Sequence, residues 1–175
     1  MTTVPNPSAY DRSSPHRFPP AVDNILRTAG WHPGRWDIRR AESWADELRA
    51  HASPGGHRHQ VFPAAVEAWA EFGTLRITGP GPGLHVAPPA FIIDPSHGRH
   101  LARTLADLGR SLDTEVAPLG AETSGEGHTP AAVLAIDAEG RVYALDHSGD
   151  YYLGADIDAA LAALITGTLP ARLPS

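Results

Sequence analysis

His57 and His59 flank Arg58 in a glycine-containing loop, and His97 and His100 stand three residues apart in a stretch of helical spacing. Residues three apart on a helix share a face, so these two pairs could in principle hold a zinc ion. Neither pair has an evident third ligand, cysteine is absent, and so is HExxH. Loop and surface histidines are the simpler reading. A metal-dependent hydrolase using His57, His59, His97 or His100 is the weakest of the alternatives. Ser124-Gly125-Glu126-Gly127-His128 and Asp146-His147-Ser148 contain the residue types of a nucleophilic triad. Sequence neighbours seldom supply the convergent geometry a triad needs, and GxSxG is missing. Gly79-Pro80-Gly81-Pro82-Gly83 puts prolines where a phosphate loop needs N–H donors, and no lysine follows. The expectation is a protein with no catalytic residue, no metal site and no cofactor.

Binding has better candidates. Residues 113–158 carry ten acids and one arginine, a net of −9, whereas residues 1–112 carry ten acids and twelve arginines. Such a block is most simply a solvated face; the functional reading is steering of a basic partner, and the distribution opposes nucleic acid, which needs a clustered basic face. Tyr151 and Tyr152 follow a Gly-Asp turn inside this block. Tyrosine anchors an interface well because it offers much area at little entropic cost. The expected partner-binding set is therefore Asp137, Glu139, Asp146, Asp150, Tyr151 and Tyr152. The partner expected is a protein, with no nucleic acid and no membrane, since no apolar run has the length of a span.

At 175 residues with 42% apolar content, the chain suffices for one domain with a real core. All 14 basic residues are arginine, and there is no cysteine. A cysteine-free chain without an apolar leader segment fits the cytoplasm.

The elements follow from periodicity. Residues 1–18 are rich in proline and serine and read as a flexible tail. The domain is expected over 19–167, and 168–175 as a coil tail. Helices are expected over about 21–29, 41–52, 63–72, 97–112 and from Gly154 to Gly167. Strands are expected at 75–78, 91–93, 116–119, 131–136 and 141–145. Asp137-Ala138-Glu139-Gly140 is a hairpin turn whose glycine supplies a positive φ. Residues 142–146 do not declare which sheet face is buried.

Ala29-Gly30-Trp31-x-Pro33-Gly34-Arg35 resembles the opening motif of the SUKH-3 family, within the superfamily of Smi1/Knr4-like proteins. Phe72-Gly73-Thr74-Leu75, Phe91-Ile92-Ile93-Asp94-Pro95 and Pro118-Leu119-Gly120 are similar to its later landmarks. So are the run Ala135 to Tyr143, Leu153-Gly154 and Leu164-Ile165-x-Gly167. The resemblance spans about Pro20 to Gly167. It implies an α+β fold with a central, mostly antiparallel sheet and helices packed around it. It also implies an immunity protein of bacterial polymorphic-toxin systems, which binds a cognate toxin domain, often a nuclease. The Smi1/Knr4 branch implies the alternative of a regulatory scaffold for an endogenous partner. Thr74 departs from the pattern, where glycine is usual.

Overall fold

Seven strands pair in chain order, every neighbour antiparallel, so the sheet is a meander. The computed structural model describes Ser14 and residues 16–78, 83–123 and 130–175. Helices α1 (Pro20–Thr28), α2 (Ile38–Ala50) and α3 (Pro63–Phe72) come first, followed by β1 (Arg76–Ile77) and β2 (Ala90–Ile92). A 3₁₀ helix (Pro95–Leu101) then runs into α4 (Ala102–Leu112). Strands β3 (Val116–Thr123), β4 (Ala132–Asp137), β5 (Val142–Asp146) and β6 (Gly149–Gly154) form the centre, and α5 (Ile157–Thr166) and β7 (Ala171–Arg172) close the chain. The result is the α+β fold expected, with helices on both faces of an antiparallel sheet.

The question left open at 142–146 resolves because both faces are covered. Ala132, Leu134, Ile136, Val142 and Ala144 join Leu119 on the face packed by α3 and α5. Ala135, Tyr143 and Leu145 point the other way, against Leu105 and Leu108 of α4. A strand covered on both sides loses its polar alternation, which is why periodicity could not choose a face. Trp69 ties α3 to the sheet by donating its indole N–H to the Pro118 carbonyl at 3.0 Å.

Several elements differ from the sequence reading: β6 (Gly149–Gly154) was not expected as a strand, and β3 runs on to Thr123. The stretch 97–112 is a 3₁₀ helix before it is an α-helix. At Gly98 a Cβ would lie 2.5 Å from Pro118 Cβ, so this segment lies almost on the sheet. Helix α2 starts earlier than expected, because Asp37 caps it by accepting from Arg40 N at 3.0 Å. The C-terminal tail contributes an edge strand. Ala171–Arg172 pairs with Tyr151 and Tyr152, and Leu173 N donates to Asp150 O at 2.8 Å.

The expected boundary at residue 18 also moves. Most of the segment read as a tail lies outside the described residues, but Arg17 and Phe18 belong to the domain. Phe18 is buried edge-on to Trp31, with ring centroids 5.2 Å apart. Arg17 Nη1 meets Glu71 Oε1 of α3 at 2.5 Å, and its Nη2 meets Asp158 Oδ1 of α5 at 2.6 Å. One buried guanidinium therefore clamps the chain's entry to two helices.

Candidate functional site

The six residues expected to bind a partner do not form one patch. Strand β5 separates the β4–β5 turn, with Asp137 and Glu139, from the β5–β6 turn, with Asp146 and Asp150. Five strand residues place these turns about 15 Å apart, at opposite ends of the sheet.

Asp137 is corrected by its burial: the residue has no exposed surface. Its Oδ1 accepts from the backbone N–H of Glu139 and Arg141 at 2.9 and 3.0 Å. Its Oδ2 accepts from Arg141 Nε at 2.6 Å and the Tyr143 hydroxyl at 2.9 Å. Burial first, and then the bond to Asp137, push the Tyr143 phenol well above its ordinary range. Asp137 shapes the hairpin from inside and presents nothing to a partner. Glu139 is exposed beside it, paired with Arg141 Nη2 at 3.1 Å.

Glu139 lies on the rim of a concavity of about 500 Å³ between α3, the β4–β5 turn and the start of α5. Glu67, Glu71, Asp156 and Asp158 line it with Arg17. Its acids are engaged internally: Glu71 and Asp158 hold Arg17, and Asp156 caps α5 by accepting from Ala159 N at 2.8 Å.

The opposite end is built differently. Asp146 Oδ1 accepts from Ser148 N and Oγ, each at 2.6 Å, and from Gly149 N at 3.2 Å. The Ser148 hydroxyl, chiefly, holds this carboxyl below the usual range. Tyr151 and Ser148 share a hydroxyl–hydroxyl bond of 2.8 Å. Tyr151 packs on the α5 side of the sheet, whereas Tyr152 packs on the α4 side, 5.9 Å from the Tyr143 ring. Both are half-buried, so neither is a free anchor. Asp150 is half-buried at the start of β6.

Glu122, near the end of β3, completes this end and was not anticipated. It stands opposite Ala132 of β4, next to the pair Val133 and Leu145. Burial, followed by the charge of Asp146, pushes its carboxyl above the usual range. A cavity of about 300 Å³ opens between these acids, Tyr151, the end of α5 and the segment 86–89. Leu84, Val86 and Leu169 are exposed at 72%, 38% and 65%. The signal in the sequence was one acid breaking the apolar run 116–121.

The histidines also regroup. His59 is buried, and its Nε2 donates to Arg99 O at 2.6 Å. His51 lies 6.1 Å from the His59 ring and 5.3 Å from that of His100, while His97 is exposed on the 3₁₀ helix. The neighbour of His59 and His100 is thus His51, which the metal alternative did not include. Among the described residues no group of three or more His, Asp or Glu is placed to hold a metal ion. Of the two triad-like runs, residues 124–128 lie outside the described residues, and in the other Asp146 Oδ1 accepts from the Ser148 hydroxyl and no histidine among the described residues bonds that hydroxyl.

A family model described as SUKH-3 immunity protein matches residues 18–167. Neither the curated proteins nor the solved structures include a match. The matched span starts at buried Phe18 and ends at Gly167, the left-handed cap of α5. It contains both faces of the sheet and the β5–β6 end described above. The chain belongs to the SUKH-3 immunity protein family.

Proposed function

We propose that this chain neutralises a cognate toxin domain, a nuclease, by covering its basic substrate groove with the β5–β6 end of the sheet. Family membership supports the toxin-neutralising role. One observation carries the choice of surface. Among the described residues, Glu122, Asp146 and Asp150 have no ion-pair partner, whereas Glu71, Asp158 and Glu139 at the other end pair with Arg17 or Arg141. Charge already balanced inside the molecule has little field to offer a partner. Glu122 and Asp146 line a cavity with exposed Leu169, giving charge and apolar area together, while Asp150, opposite Leu145, adds charge on the α4 face of the same end. A nuclease binds phosphates through a basic surface, which such an end complements. We place this encounter in the cytoplasm, in keeping with a cysteine-free chain.

The test is the association rate with the toxin domain encoded by the neighbouring gene. Reversing charge at Asp150 should slow association, and added salt should slow the wild type more than the variant. Rates insensitive to both changes would move the interface elsewhere.

A further inference from the structure

We propose that the cavity between Glu122, Tyr151 and the end of α5 seats one basic side chain of the protein partner. Its aliphatic stem would lie on the apolar walls, and its cation would sit between Glu122 and Asp146. This rests on the toxin-binding reading and adds what the surface grips.

The walls set the chemistry. Val86, Pro89, Leu164 and Leu169 line the cavity, so the occupant's body is apolar. Glu122 and Asp146 lie on the same side, across β3, β4 and β5, with Ala132 between them in the pairing. A wholly apolar occupant would bury Glu122 without compensation, and an acid would be repelled. Lysine and arginine alone join an apolar stem to a cationic head. At the end of α5, Thr166 O and Gly167 O accept from Leu84, His85 and Val86 N–H groups, which fixes the rim.

Among the described residues no local cation offsets the Glu122 charge. Arg172 Nη2 donates to Ser148 O at 2.5 Å, and His85 Nδ1 accepts from Leu169 N at 3.1 Å. His147 is exposed on the turn, and its charge acts on Asp146, not on Glu122. Among the described residues no side chain hydrogen-bonds the Glu122 carboxyl, although burial and Asp146 both work against its charge. A carboxylate kept at a cost to the fold is expected where a ligand, not the fold, needs it.

The experiment titrates the full chain with N-acetyl-arginine amide, using N-acetyl-citrulline amide as the uncharged isostere, and follows backbone amide shifts. Arginine amide should shift Ala132, Tyr151 and Leu164, and citrulline amide should bind about tenfold more weakly. Glu122→Gln should weaken arginine amide and the toxin domain about tenfold each. It should leave thermal stability at neutral pH equal or higher, a result that separates a binding role from a structural one. Equal binding of the two amides, or shifts confined elsewhere, overturns the proposal. Toxin binding that is lost with Asp150→Lys but indifferent to Glu122→Gln also overturns it, while leaving the surface assignment standing. Indifference to both variants overturns the two together.

Discussion

Arg17→Met removes the cation that joins the start of the domain to α3 and α5. The Arg17 side chain is 6% exposed, and those of Glu71 and Asp158 are 4% and 14% exposed. The contact with Asp158 is a two-pronged fork, Nε to Oδ2 and Nη2 to Oδ1, both at 2.6 Å. Nη1 also donates to both Glu71 oxygens, at 2.5 and 3.0 Å. The guanidinium further covers the rings of Phe18 and Phe72, 5.3 and 5.6 Å from their centroids. Methionine keeps much of the stem and none of the charge, so two carboxylates stay buried without it. Breaking a buried ion pair this way costs about 3–5 kcal/mol. In a chain of this size 1 kcal/mol moves Tm by about 2–4 °C, so the expected loss is roughly 6–20 °C. Urea unfolding followed by near-UV circular dichroism measures it. Arg17→Lys keeps the charge but not the fork and should fall between the two. Adding Glu71→Gln and Asp158→Asn to the methionine variant should recover part of the loss, because the stranded charges are gone. A loss under about 1 kcal/mol for Arg17→Met, with no recovery, would refute the clamp. Arg17 would then behave as part of the solvated tail that the composition of residues 1–18 suggests.

Three more outcomes are expected. Thr74 sits at φ +69°, where the family pattern has glycine. Thr74→Gly relieves about 1–2 kcal/mol of left-handed strain against about 0.5–1 kcal/mol of glycine flexibility. A small rise in Tm should follow, even with loss of the 3.2 Å bond from Arg35; a fall would contradict the strain. Asp137→Asn should cost about 2–3 kcal/mol in urea unfolding, yet leave toxin affinity per folded molecule unchanged. Weakened affinity with unchanged stability would return Asp137 to the interface. His59 holds its proton less readily than a solvated histidine, through burial first, opposed by its bond to Arg99 and aided by His51 and His100. The unfolded chain therefore binds more protons as pH drops below about 6.5, and stability falls with it through the lowered folded value. His59→Gln keeps a donor near the Nε2 position and should flatten urea midpoints across that window; an unaltered slope would assign it to other groups.

The helices and five of the strands were legible because each carried its own local signal, whereas β6, with Gly149 and Gly154 at its ends, was not read as a strand. Leu101, Leu105, Leu108 and Leu112 marked one face across the 3₁₀ helix and α4, and Gly140 marked the hairpin, with φ +88° as required. The boundaries failed where the deciding contact was distant in sequence. Arg17 looks like tail composition until Glu71 and Asp158 are brought to it, and Ala171–Arg172 becomes a strand only because β6 offers an open edge. The site was half legible for the same reason. Charge density pointed to residues 113–158, but it could not distinguish an acid buried in a turn, such as Asp137, from one facing an open cavity, such as Glu122. Alternation alone sends Tyr151 and Tyr152 to opposite faces, but one was expected in solvent, whereas both faces are covered and both rings are half-buried.

The most direct test of the account is the association rate of the neighbouring gene's toxin domain with the wild type and with Asp146→Asn/Asp150→Lys. Asparagine retains an oxygen to cap the Ser148 turn, so the Asp146 substitution changes charge with little change in shape. The account predicts an on-rate about tenfold lower for the variant at low salt, with the difference shrinking as salt rises. Equal on-rates for the two proteins at every salt concentration would contradict the assignment of the β5–β6 end as the toxin-binding surface.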